Sequence, residues 1–123
     1  MNAIIQAQRA YAPSAAPIRS ERSIEYDVIA RITSRLRAAM LKGEYPRLLE
    51  ALHENATLWR TLAIEVADPG NQLPNSLRAR IFYLAEFTEA QTRKVIRKGD
   101  TAAPLLEVNM AILRGLKQEG AQP

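Results

Sequence analysis

The chain has 123 residues, 47% of them apolar and 24% charged, enough for one domain with a modest core and too few for two. Cysteine is absent, which excludes disulfides, thiolate metal sites and thiol nucleophiles. Lys and Arg outnumber Asp and Glu by 17 to 13, yet the excess is dispersed, 9 against 6 over residues 1–61 and 8 against 7 over residues 62–123, so neither half reads as a basic tail.

Residues 2–11 carry Ile4, Ile5, Ala7, Ala10 and Tyr11, a short helical set too small to hold itself in isolation. Residues 1–16 lack an apolar stretch flanked by basic residues and do not read as a signal peptide, and no apolar run approaches the roughly 20 residues of a membrane span. Pro13 and Pro17, with small residues between them, make a linker. Ser20 is a candidate N-cap with Glu21 in the first turn. The helix it opens has the stripe Ile24, Val28, Ile32, Leu36 and Met40, flanked by Ile29 and Ala39, and Gly43 closes it.

A second helix runs from about Tyr45 to Ala67, its stripe made by Leu48, Leu52, Trp59, Leu62, Ala63 and Val66. Asp68-Pro69-Gly70 ends it, because proline lacks the N–H that continues a helix and glycine takes the turn that follows. Leu73-Pro74-Asn75 opens a third helix that reaches Lys98. Leu77, Ile81, Leu84, Ala85, Thr88 and Val95 lie on one side of it, with Phe82 and Phe87 widening the apolar arc. Arg93, Lys94, Arg97 and Lys98 suit the negative end of its dipole, and Gly99 stops it. Asp100 or Thr101 caps a fourth helix with the stripe Leu105, Leu106, Val108, Ile112, Leu113 and Leu116, ending at Gly115-Leu116.

No segment alternates long enough to make a strand. The predicted fold is all-α, a compact bundle of four main helices with a short N-terminal helical segment. Residues 1–18 form a flexible segment and linker, 19–118 the helical domain and 119–123 a frayed end.

Chemistry is sparse. His53 is the single histidine and has no second ligand at helical spacing, which makes it a surface residue. Glu50 and Glu54 stand at i and i+4 as solvated like charges. Serines lack a base within any motif, and Gly99 and Gly115 belong to no phosphate loop. We expect no catalytic site, no cofactor and no metal. Arg31, Arg35 and Arg37, and Arg93, Lys94, Arg97 and Lys98, are either solvated helix faces or a polyanion patch. Asn55, Asn71 and Asn109 sit beside apolar stripes, where an amide caps backbone, ties helices together or touches a ligand.

Four blocks carry a further signal: Arg22-Ser23-Ile24-Glu25, Ala51-Leu52-His53-Glu54-Asn55-Ala56-Thr57-Leu58-Trp59, Asn71-Gln72-Leu73-Pro74-Asn75-Ser76-Leu77-Arg78, and Pro104-Leu105-Leu106-Glu107-Val108-Asn109 through to Gly115-Leu116. In this order, over roughly residues 19–116, they resemble the flagellar biosynthesis regulator FlaF family. Leu106 and Val108 replace isoleucines of that pattern, and Thr88 follows Phe87 where the family usually has valine.

The resemblance implies a non-enzymatic cytoplasmic factor for flagellum assembly that binds flagellin as a chaperone or export factor and promotes its synthesis and secretion. It also implies FlbT as a companion regulator. Asn55, Trp59, Asn71, Leu73, Pro74, Arg78 and Asn109 are the positions it marks for partner binding. A helical bundle suits a partner helix held in a groove, which residues 2–11 could cover in the free protein. The alternative is an RNA-binding regulator of flagellin message acting through Arg31, Arg35, Arg93, Lys94, Arg97 and Lys98.

Overall fold

The structure, a computed structural model, describes residues 21–121, with side chains from Tyr26 to Lys117. The expected helical segment at 2–11, the linker after it, the Ser20 cap and the side chains of Arg22, Ile24 and Glu25 lie outside the described residues. Among the described residues there are four helices and no strand: α1 Glu21–Lys42, α2 Tyr45–Ala67, α3 Asn75–Lys98 and α4 Ala103–Ala121.

Each helix packs against its chain neighbours, and α4 closes the ring on α1. Short connections impose this order, since a two-residue link can only return the chain antiparallel. Gly43 at φ 71° and Gly99 at φ 68° adopt the left-handed conformation that side chains resist, and their N–H groups bond Ala39 O and Val95 O at 3.2 and 3.1 Å. Thr101 Oγ1 accepts the N–H of Ala103, so the expected cap at 100–101 does initiate α4.

The apolar stripes converge in two clusters. Val28, Ile29 and Ile32 meet Leu58, Trp59, Leu62 and Val66, together with Leu73, Leu77, Ile81, Ile112 and Leu116. Nearer the other end, Leu36 and Ala39 pack on Ala51, Leu52, Val95, Ala102 and Leu105. On every helix a buried polar residue separates the two: Thr33 on α1, Asn55 on α2, Thr88 and Thr92 on α3, Asn109 on α4. The bundle is thus two apolar cores with a polar layer between them.

Three expectations change. Phe82 and Phe87 do not extend the core; they are 46% and 39% exposed. The buried line of α3 runs through Ile81, Thr88, Thr92 and Val95, and at 100° per residue the two phenylalanines fall on its opposite flanks. Ala63, at the edge of the α2 stripe, is only half-buried for the same reason. Gly115, where with Leu116 the apolar stripe of α4 finishes as expected, lies inside a helix that continues to Ala121, into the stretch expected to fray. Its φ is not left-handed, and a Cβ there would sit 3.7 Å from Leu77 Cδ1, in ordinary contact with α3.

Candidate functional site

Asn109 is the hub of the polar layer. Its Nδ2 donates to Asn55 Oδ1 at 2.8 Å and to Thr33 Oγ1 at 3.1 Å, and its Oδ1 accepts the indole N–H of Trp59 at 2.8 Å. Thr33 Oγ1 in turn donates to Ile29 O at 2.6 Å. One amide therefore joins α4 to α1 and α2, in an interior where hydrogen bonds are strong and unmade ones expensive. Two atoms of the layer, Asn55 Nδ2 and Thr88 Oγ1, have no hydrogen-bond partner. Asn55, Trp59 and Asn109 are fully enclosed, and what they touch is one another and the surrounding core, so the structure places them as ties between helices and not on the surface.

The remaining residues marked by the sequence cluster at the turn between α2 and α3. Asn71 Oδ1 accepts the N–H of Leu73 at 3.0 Å, which bends the chain so that Leu73 enters the core. Pro74 precedes the first residue of α3, where its missing N–H is harmless. Arg78 reaches back to α2, donating Nε and Nη2 to Val66 O at 3.0 and 2.8 Å and Nη2 to Asp68 O at 2.9 Å. These carbonyls end a helix, and a guanidinium both satisfies them and complements the dipole.

On the outside of the same helix pair lies a groove of about 400 Å³. Ala63, Phe82 and Ala85 form its apolar part, and Arg60, Glu86, Glu89 and Arg93 its polar rim. Arg60 grips Glu89 with Nε and Nη2 at 3.2 and 3.1 Å, and Arg93 approaches the same carboxylate at 3.5 Å. The hydrogen bonds from Arg60 hold the Glu89 carboxyl below its ordinary range, against the opposing effect of burial; reciprocally, Glu89 raises the Arg60 guanidinium. Sequence reading missed this cluster and Thr33. Arg60 and Glu89 are 29 residues apart on different helices, and only their matching charges hinted at a pair.

His53 is exposed, Arg35 pairs with Glu54 at 2.6 Å, and Arg37 Nη2 lies 3.2 Å from Met110 Sδ. Lys94, Arg97 and Lys98 are exposed near the end of α3. Among the described residues no group of three or more His, Asp or Glu side chains is placed to hold a metal ion, and no helix is long and apolar enough to cross a membrane.

Neither a curated protein nor a solved structure matches the chain. Residues 7–116 match the family described as flagellar protein FlaF. That span takes in all four sequence blocks, the Asn109 hub with its three partners, the α2–α3 turn and both walls of the groove, and the chain is accordingly a member of the FlaF family of flagellar proteins.

Proposed function

We propose that the protein is a cytoplasmic, non-enzymatic factor that binds flagellin as a chaperone or export factor and promotes flagellin synthesis and secretion. Membership of the FlaF family over residues 7–116 carries this reading. The bundle supports it: a rigid scaffold with a partly apolar groove between two helices suits capture of a partner segment. FlbT is the companion regulator expected to act on the same flagellin supply.

The RNA-binding alternative draws on six cations, of which Arg35 and Arg93 already lean on Glu54 and Glu89. Arg31, Lys94, Arg97 and Lys98 are left to contact phosphates. The test is capture of purified flagellin by the purified protein, with and without nuclease. Binding that persists after nuclease treatment supports the flagellin reading. Binding that disappears with the nucleic acid moves the assignment to the message.

A further inference from the structure

The groove between α2 and α3 unites an exposed aromatic side chain, small half-buried residues and incompletely matched charge. Other large exposed apolar residues, such as Leu41 and Tyr45, lie at the α1–α2 turn, and Phe87 lies on the opposite flank of α3 from Phe82. In the groove, Phe82 stands as a wall beside Ala63 and Ala85, whose small side chains leave room for a third backbone to approach within the roughly 8–10 Å of packed helices. The α3 lining runs from Phe82 to Arg93, which is about 16 Å of helix, or three turns, at about 1.5 Å per residue.

The charges give the site a direction. Glu89 is shared by two guanidiniums, and Arg60 holds it through both of its oxygens, so Arg93 lies at ion-pair distance without a hydrogen bond. One positive charge at that end is left incompletely neutralised. Glu86, two turns toward the Phe82 end, has no ion-pair partner among the described residues. Glu86 borders the apolar end of the groove and Arg93 lies two turns on, beyond the Arg60–Glu89 pair, so opposite charges follow the apolar end in a fixed order that matches a helix of complementary pattern.

From this geometry we infer that the α2–α3 groove is the docking site for a three-turn amphipathic helix of the partner. That helix lays its apolar stripe on Phe82, Ala63 and Ala85, with a carboxylate against Arg93 and a cation two turns away against Glu86. The inference deepens the flagellin reading and rests on it, flagellin being the protein that supplies the helix. Burial of the apolar stripe supplies affinity, and the paired charges set the direction in which the helix lies.

The experiment titrates purified flagellin with the full-length chain and its variants Phe82→Asp, Ala63→Lys, Arg93→Glu and Phe87→Asp, each first checked by circular dichroism and thermal melting. Phe82→Asp and Ala63→Lys weaken binding at least tenfold, whereas Phe87→Asp stays within about twofold. Arg93→Glu weakens binding several-fold at low salt and much less at high salt. Phe82 is half exposed, so its replacement spares the core; were it to unfold the chain, Ala63→Lys provides the same reading. Flagellin binding by the wild type that none of the groove variants alters overturns the groove and leaves the functional reading intact. Absence of wild-type binding overturns that reading and this occupant with it. Loss of a self-dimer in Phe82→Asp, seen by sedimentation with flagellin affinity unchanged, assigns the groove to a second copy and also overturns the inference.

Discussion

The indole N–H of Trp59 donates to Oδ1 of Asn109, 2.8 Å away and 50 residues later in the chain, which ties the tryptophan of α2 to the hub of the polar layer on α4. Trp59 therefore has two roles, filling the larger core with its ring and using one edge to satisfy an amide that has no access to water. Trp59→Ala should destabilise the bundle by about 3–5 kcal/mol, as loss of a large core aromatic does. Urea denaturation measures this, and an unchanged midpoint would show that the ring does not hold the core.

Asn109→Leu tests the hub itself. It raises hydrophobicity at a buried site of similar volume, yet strips partners from Trp59 Nε1 and Asn55 Oδ1 and removes the bond to Thr33. Unmade buried bonds cost about 1–3 kcal/mol each, so a loss of about 3 kcal/mol or more is expected. A stabilised Asn109→Leu variant would mean that the polar layer serves specificity at the expense of stability, as buried polar groups do in some proteins.

At Thr88 the expectation has the opposite sign. Its side chain is buried, and Oγ1 has no hydrogen-bond partner. Valine has nearly the same shape without the hydroxyl. Thr88→Val should stabilise by about 1 kcal/mol, within the range for an unsatisfied buried group. A lower thermal midpoint would show that the hydroxyl is bonded in solution.

Arg78 clasps the last turn of α2 through three hydrogen bonds to two carbonyls. Arg78→Ala should cost about 1.5–3 kcal/mol, the range for hydrogen bonds to a charged group, and Arg78→Lys should recover only part of it because an ammonium cannot reproduce the planar fork. Full recovery by lysine would reduce the interaction to charge alone.

The Glu89 cluster predicts a pH dependence of defined sign. The folded carboxyl titrates below its unfolded value, chiefly through the hydrogen bonds from Arg60, so its stabilising contribution is complete above the unfolded value of about 4.3 and is lost as pH falls through the lower folded value. The gap in melting temperature between wild type and Glu89→Gln should be constant at neutral pH and close in acid. The pair is largely exposed, so the gap is small. A gap that persists unchanged into strong acid would rule out the carboxylate as its source.

Binding of flagellin should survive about 0.5 M salt, because screening at that strength removes most of the surface attraction and leaves apolar burial intact. A drop in affinity of about a hundredfold or more, measured by titration at two salt concentrations, would favour phosphate contacts and the RNA reading.

Local rules sufficed for the four helices and for the C-terminal ends of α1, α2 and α3. Val28, Ile32 and Leu36 at four-residue steps specify which face of α1 turns inward, and Gly43, Asp68-Pro69-Gly70 and Gly99 mark the stops within a few bonds of themselves. The family could be read from the same linear blocks. The partners of Asn109 could not, since they lie 50, 54 and 76 residues away and an amide on an apolar stripe is equally a cap, a tie or a ligand contact until neighbouring helices surround it. Periodicity also left the edges of each stripe open. Phe82 and Ala63 flank their helices' buried lines, and whether such a residue enters the core or lines a groove depends on where the adjacent helix lies. That position is set by packing across the whole bundle, where volume is filled collectively and no single helix carries the information.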